Sequence, residues 1–376
     1  MIYFLVNNDY QLLDARSHAH DLLQQGQDSS LIEVPHMLQE NNRSEGFRQL
    51  HAFAAPLKSH GWMGAWWCYF GAQRDVTRQL NPTAGDTLFL YTEYELLNHF
   101  IALRFKQAGA RVFLLEDGGV GTYIPFSVPS QERLTLKEHI VALMTRCLPN
   151  LHRTKFHKIN GIVFPWMEDK HLDGLCTYRP LQIIRQLPVH VLRGPERARL
   201  KTIPGRVLFL NERMYDDYQN ATEYMHGLET IMRALTIGFG EVLFKFHPRE
   251  KQPWRGRITE LLATKFPSVR VVEDSRAAEL LLADLQPEVL ASYFSTALLS
   301  LQGTGVEPLF LFHLLPEIAR QKVFVQCAGL LRQWSYHFVL DWTEARAGYS
   351  SGMQTNRGTQ YTSLMELLNP SLRLEA

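Results

Sequence analysis

Three short runs in this sequence bring together residue types that can move a proton or hold an anion. The first is Glu116-Asp117-Gly118-Gly119, directly after the strand candidate Arg111–Leu115. Adjacent carboxylates at a strand's carboxyl end point in different directions, so one can face a cleft while the other anchors the loop. The glycines permit a tight turn and close backbone approach. An acid so placed can take a proton from a hydroxyl, and the competing reading is a plain Asp-Gly turn. The second run is Phe244-Lys245-Phe246-His247-Pro248-Arg249. Pro248 restricts His247 to extended backbone, presenting it at a strand end where it can donate to a phosphate. Period-two alternation puts Lys245 on the face of His247, with Phe244 and Phe246 opposite. The third is Ser292-Tyr293-Phe294-Ser295-Thr296-Ala297, where a strand hands over to a helix. Ser295 and Thr296 fall at the helix N-terminus, where free N–H groups, the helix dipole and two hydroxyls can hold a phosphate. Taken alone, Ser295 is also an ordinary N-cap.

Each run needs a strand ahead of it, and the chain supplies them in alternation with helices. Ile2–Val6, Ser30–Val34, Thr87–Tyr91, Arg111–Leu115 and Gly161–Phe164 read as strands; Tyr10–Gln25, Glu95–Ala108 and Thr135–Cys147 read as helices. That order implies a parallel sheet with covering helices. Residues 193–206 carry two prolines, two glycines and five basic residues against one acid, which marks a linker. The pattern then restarts. Val207–Asn211, Val242–Phe246, Val269–Val272 and Glu288–Tyr293 are strand candidates, with Pro308–Phe312 and Val323–Val325 as further strands or buried segments. Helices are expected over Glu223–Ala234, Gly256–Phe266 and Ala277–Ala283, and from Thr296 to Leu301. The expected fold is α/β of the GT-B type: two Rossmann-like domains facing a central cleft, with ligands at the carboxyl ends of the strands. The expected domains are 1–195 for the acceptor and 196–340 for the nucleotide sugar, with 341–376 packing back on the first.

At 376 residues, 45% hydrophobic and 20% charged, the chain can bury two cores. A formal charge of +1 gives no global electrostatic case for nucleic acid. Cys68, Cys147, Cys176 and Cys327 are scattered and form no CxxC pair, which speaks against zinc knuckles and a disulfide framework. No apolar run approaches a bilayer span, and Met1–Asn8 reads as a first strand and not a signal peptide. The expected location is the cytoplasm, with a peripheral place on the inner membrane compatible. The aromatic stretch Trp62–Phe70 reads as buried core or as an acceptor-shaping surface, and Asn7 and Asn8 as turn or cleft-edge residues.

In this order, each at a strand's carboxyl end, the three runs resemble the signatures of the bacterial sialyltransferase and polysialyltransferase families. Those signatures are an acidic-acidic-Gly motif, then His-Pro, then Ser-Ser/Thr, here Glu116-Asp117-Gly118, His247-Pro248 and Ser295-Thr296. Ala278-Glu279-Leu280-Leu281 is similar to a family segment whose glutamate contacts the nucleotide ribose, although the family has proline where this chain has Ala278. The resemblance implies inverting transfer of a nonulosonic acid from a CMP-activated donor to a glycan or glycolipid acceptor in bacterial surface polysaccharide synthesis, whether capsule or lipopolysaccharide. Asp117 or Glu116 would be the base. His247 would assist departure of CMP; Ser295, Thr296, Pro248, Lys245, Glu279 and Gly118 would line the nucleotide and phosphate. No Asp-x-Asp motif occurs, so neither metal nor other cofactor is expected. Lys-x-His-Pro-Arg before a Ser-rich helix start also resembles wall-teichoic polyol-phosphate transferases and some capsule Kdo transferases. A non-catalytic glycan-binding protein on a degenerate transferase fold is the remaining alternative.

Overall fold

The computed structural model describes residues 1–37, 43–54, 61–118, 122–127, 132–148, 151, 154–159, 162–194, 199–213, 221–248, 250–301, 303–334, 364 and 368. The chain divides into two compact units, Met1–Pro195 with Gly358–Ala376, and Glu196–Arg357.

The first unit is built on seven parallel strands: β1 (Ile2–Asn8), β2 (Ser29–Met37), β3 (Gln49–Ala52), β4 (Thr87–Leu90), β5 (Arg111–Leu115), β8 (Gly174–Thr177) and β9 (Val189–Val191). Their spatial order is β3-β2-β1-β4-β5-β8-β9. A separate antiparallel hairpin joins β6 (Lys155–Ile159) to β7 (Ile162–Trp166). Helices α1 (Asp9–Gln24), α2 (Gly61–Gln79), α3 (Leu96–Gln107), α4 (Ile124–Ser127) and α5 (Leu136–Arg146) complete the unit. Strands buried on both faces carry continuous apolar runs, and Phe4, Leu5, Val6, Leu88, Phe89 and Leu90 are fully enclosed. Asn8 caps α1 by accepting from the Gln11 N–H at 3.0 Å. Leu364, far along the chain, belongs to this core, and the Leu368 carbonyl accepts from Arg111 Nη2 at 2.9 Å.

The second unit has five parallel strands in the order β12-β11-β10-β13-β14. They are β10 (Ile203–Leu210), β11 (Glu241–Lys245), β12 (Arg270–Val272), β13 (Pro287–Ser292) and β14 (Glu307–Phe310). The helices are α6 (Ala221–Gly238), α7 (Gln252–Lys265), α8 (Ala278–Leu285), α9 (Thr296–Leu299), α10 (Pro316–Ala319) and α11 (Lys322–Gln333). In each unit the strand order reverses beside the first strand, between β1 and β4 and between β10 and β13. Ligands of open α/β sheets bind at such switch points, outside the carboxyl ends.

Several expectations need correction. Val323–Val325 is the first turn of α11, not a strand; a short apolar run fits either period. Residues 203–206, expected in the linker, begin β10. Ile203 pairs with Pro287, and an irregularity before Val207 is accommodated by Gly205 at φ +74°. Of the expected strand Gly161–Phe164, Ile162–Phe164 contributes to the hairpin and not to the parallel sheet, and Gly161 lies outside the described residues. The stretch Trp62–Phe70 is helical, with Trp67 75% exposed and Tyr69 buried; the side chains of Trp62 and Trp66 lie outside the described residues. So do Gly119, Arg249 and most of 341–376.

Candidate active site

In the first unit, β5 delivers Glu116 and Asp117 beyond its carboxyl end, and the chain turns at Gly118 with φ +71°. That left-handed conformation favours glycine over any side chain. The two carboxyls meet opposite surroundings. Glu116 is 1% exposed and held by three donors. Tyr123 Oη donates to its Oε2, the Tyr178 N–H to the same oxygen at 2.7 Å, and Arg179 Nη1 to Oε1 at 3.5 Å. Burial raises its pKa above the ordinary carboxylate value, with Arg179 and these hydrogen bonds acting against the rise.

Asp117 is only half-buried. Its N–H donates to Thr122 Oγ1 at 2.7 Å, and its Oδ1 accepts from Gln11 Nε2 at 2.8 Å. Gln11 cannot flip, because its Oε1 accepts the Asn7 N–H at 2.7 Å. Asn7 in turn is fixed by the Val34 carbonyl and by Asn98. Burial, with the negative charges of Glu116 and Asp14 adding to it and the Gln11 hydrogen bond opposing, pushes Asp117 up to about 7. Two like charges nearby resist joint ionisation.

Asp14, 1% exposed, stands behind this pair. Its Oδ2 accepts from Tyr91 Oη at 2.8 Å and from Tyr178 Oη at 2.6 Å. Because the Tyr178 hydrogen goes to that carboxylate, the 2.7 Å contact with His18 Nε2 is one in which the imidazole donates. Sequence reasoning missed Gln11, Asp14, Tyr178 and Arg179. A glutamine or aspartate inside a helical pattern carries no local signal of what it will meet across a sheet. Asn7 and Asn8, weighed as turn or cleft-edge residues, brace Gln11 and cap α1.

In the second unit, His247 follows β11 and is half-buried, with Pro248 exposed beside it. Ser295 and Thr296 follow β13, also half-buried. β11 and β13 flank β10, so the two strand ends lie two interstrand spacings apart, roughly 10 Å. Glu212, just beyond β10 and also missed by sequence reasoning, spans the switch point. Its Oε1 accepts from Ser292 Oγ at 2.7 Å and from the Phe294 N–H at 3.3 Å, bracing the segment that presents Ser295.

Two expectations change here. Helix α9 is a single turn, Thr296–Leu299, and Ser295 Oγ already accepts the Ala297 N–H at 3.4 Å. So short a helix sums few peptide dipoles, so hydroxyls and backbone N–H groups, not a macrodipole, are what this segment offers an anion. Lys245 is 4% exposed and its Nζ donates to the Asp274 carbonyl, so its ammonium is already engaged within the unit. Burial lowers its pKa, with Asp274 and Glu279 pulling it back up. Glu279 thus sits near the Lys245 ammonium, in the first turn of α8. Among the described residues, no group of three or more His, Cys, Asp or Glu is placed to hold a metal ion, and no helix is long and apolar enough to cross a membrane.

Two parallel α/β units, each with its polar residues gathered beyond the carboxyl strand ends at a switch point, make a GT-B-like fold, and the chain is a glycosyltransferase. The fold is shared with UDP-GlcNAc 2-epimerase from Methanocaldococcus jannaschii, in a structure holding UDP-GlcNAc and UDP. That likeness has 10% identity and a TM-score of 0.55, over 100% of this chain and 99% of that one. A second structure of UDP-GlcNAc 2-epimerase from the same organism gives 11% identity and a TM-score of 0.51 over the same shares. MurG of Acinetobacter baumannii is more distant, at 10% identity and a TM-score of 0.44 over 99% and 100%. None of the curated proteins matches by sequence. The chain belongs to the alpha-2,8-polysialyltransferase family, whose profile matches residues 29–303.

Proposed function

We propose that this protein is an inverting transferase that moves a nonulosonic acid from a CMP-activated donor to a hydroxyl of a glycan or glycolipid acceptor, without a metal ion. Asp117 is the general base. One of its oxygens is held by Gln11, and the side chain keeps partial access to solvent. That is the observation that carries the assignment over Glu116, whose carboxylate is taken up by Tyr123, Tyr178 and Arg179. A base that titrates at about 7 is half-ionised at neutral pH and strong enough to accept a proton.

In the step itself, the acceptor O–H gives its proton to Asp117 while its oxygen attacks the anomeric carbon. The anomeric C–O bond to phosphate breaks with its electron pair leaving on CMP. Attack and departure on opposite faces in one displacement invert the centre. His247 donates to the departing phosphate, Ser295 and Thr296 hold that phosphate, and Glu279 addresses the nucleotide ribose. A preorganised donor of this kind contributes about 3–4 kcal/mol to the transition state. The monophosphate leaving group needs neutralisation of fewer charges than a diphosphate would, and the chain has no Asp-x-Asp motif.

The test is release of CMP from CMP-sialic acid in the presence of an oligosialic acceptor, with CMP-Kdo as the competing donor. Turnover of CMP-sialic acid, lost about 100-fold or more in Asp117→Asn and His247→Ala, is the expected result. Turnover of CMP-Kdo alone, or full activity in both variants, refutes the scheme.

A further inference from the structure

Helix α5 is amphipathic in the inverted sense. Its inward side is narrow: Ala142 and Thr145 are buried and Glu138 is half-buried, pairing with Lys158 at 3.1 Å on the β6–β7 hairpin. The apolar residues lie on the other side. Leu136 is 79% exposed, Ile140 50% and Leu143 63%, at spacings i, i+4 and i+7, with the exposed Cys147 continuing the row. At 3.6 residues per turn, this stripe points roughly 170° away from the buried one. The helix is not a frayed surface turn, since a full capping box joins Thr135 and Glu138 at its start.

Basic groups rim the stripe. Lys137 flanks it on one side and Arg146 on the other, with Arg133 just before the helix and Lys155 at the start of the hairpin, all exposed. Arg146 is anchored through Nε to the Thr154 carbonyl at 3.1 Å, which holds its guanidinium at the edge. The acid on the helix, Glu138, is committed inward to Lys158. A short apolar stripe rimmed by cations is the pattern of a helix lying in a lipid–water interface.

We propose that α5 seats the protein on an anionic bilayer surface, with Leu136, Ile140 and Leu143 entering the headgroup boundary and Lys137 and Arg146 meeting lipid phosphates. A second copy of the chain is the poorer occupant on two grounds. The stripe offers on the order of 300 Å² of apolar surface, against the about 800 Å² per partner of a stable interface. Pairing two stripes would also bring like-charged rims together. A site on the membrane brings the enzyme to acceptors carried on lipid, but the seating does not depend on the transfer chemistry.

The test is co-sedimentation of the intact chain with vesicles of phosphatidylcholine alone and of phosphatidylcholine mixed with phosphatidylglycerol. Binding to the mixed vesicles, at least about tenfold stronger than to the neutral ones and weakened by salt, is expected. The triple variant Leu136→Ser, Ile140→Ser, Leu143→Ser should lose at least about tenfold of that binding, and Lys137→Gln with Arg146→Gln should erase the preference for anionic lipid. Turnover of a soluble acceptor should stay unchanged in both. Should the triple variant fold poorly, an environment-sensitive dye on Cys147 in a Cys68→Ser background reads the same seating through a blue shift on mixed vesicles. No binding to mixed vesicles, binding unaltered by the triple substitution, or a dye that stays in water overturns the proposal. So does a dimer in solution that the triple substitution dissociates while vesicle binding persists.

Discussion

Replacing Gln11 by methionine should move the acid limb of the pH–rate profile while leaving the alkaline plateau in place. Methionine keeps the length and apolar stem of glutamine but cannot donate to Asp117 Oδ1, which now accepts from Gln11 Nε2 at 2.8 Å. A hydrogen bond to a charged acceptor is worth about 1.5–3 kcal/mol. Because Asp117 is half-buried, solvent recovers part of that, and the lower end applies. At 1.36 kcal/mol per pKa unit, the loss is about one unit. Burial, Glu116 and Asp14 would then act with less opposition, carrying Asp117 from about 7 to about 8. The ionised fraction at pH 7 falls from about half to about a tenth, so kcat/KM for CMP release should fall about fivefold at pH 7. Near pH 9 the loss should be small, since most of the base is ionised in both proteins. The assay is initial-rate CMP release at subsaturating substrate across that range. A loss of equal size at every pH, or an acid limb that stays where it was, refutes the reasoning that Gln11 tunes a titrating base.

Other consequences concern the neighbours of that base. Asp117 titrates at about 7 in the fold against 3.8 for a free carboxyl, so between those values the folded chain holds a proton that the unfolded chain has lost. Stability therefore falls as pH rises across that window, and Asp117→Asn should raise Tm at pH 7.5 by the equivalent of about 1 kcal/mol, after discounting for exposure, even as activity disappears. Glu116→Gln should likewise not lower Tm at pH 7.5, because burial outweighs Arg179 in holding that carboxyl's pKa above its ordinary value; both are read by calorimetry. Gly118→Ala puts a side chain at φ +71°, a strain of about 1–2 kcal/mol that should appear as a lower Tm and a kcat loss with KM little changed. Asp117→Asn and His247→Ala, if they serve one displacement, should be strongly non-additive when combined; a double variant showing the product of the two single losses would separate their roles.

Much of the scaffold was legible because parallel strands buried on both faces announce themselves as apolar runs with turns between them. Arg111–Leu115 is the plainest example, and the motifs that follow such runs fall at the carboxyl strand ends. What escaped reading had no period to find. β8 and β9 are too short to alternate, and α2 mixes aromatics and glycines with no clear helical stripe. The end of α9 was written in Gly303 and Gly305, both with positive φ, which follow the turn that closes it. The acidic pair could be located but not resolved. The partition between Glu116 and Asp117 is decided by Tyr123, Tyr178, Arg179 and Gln11, and three of these come from chain segments distant from residue 116. Lys245 shows a related limit: alternation assigns a face but does not tell that its ammonium meets the carbonyl of Asp274.

The return of Leu364 to the core formed by Phe4, Phe89 and Phe113 has a consequence for how the protein is made. The 162 residues from Glu196 to Arg357 must leave the ribosome before that leucine can. At about 5–20 residues per second this takes roughly ten to thirty seconds. During that interval the earlier-made half waits with an unfilled place among its aromatics, open to chaperones or to a neighbouring nascent chain. The emergence of Leu364, and not that of residue 195, is the moment at which that half can close.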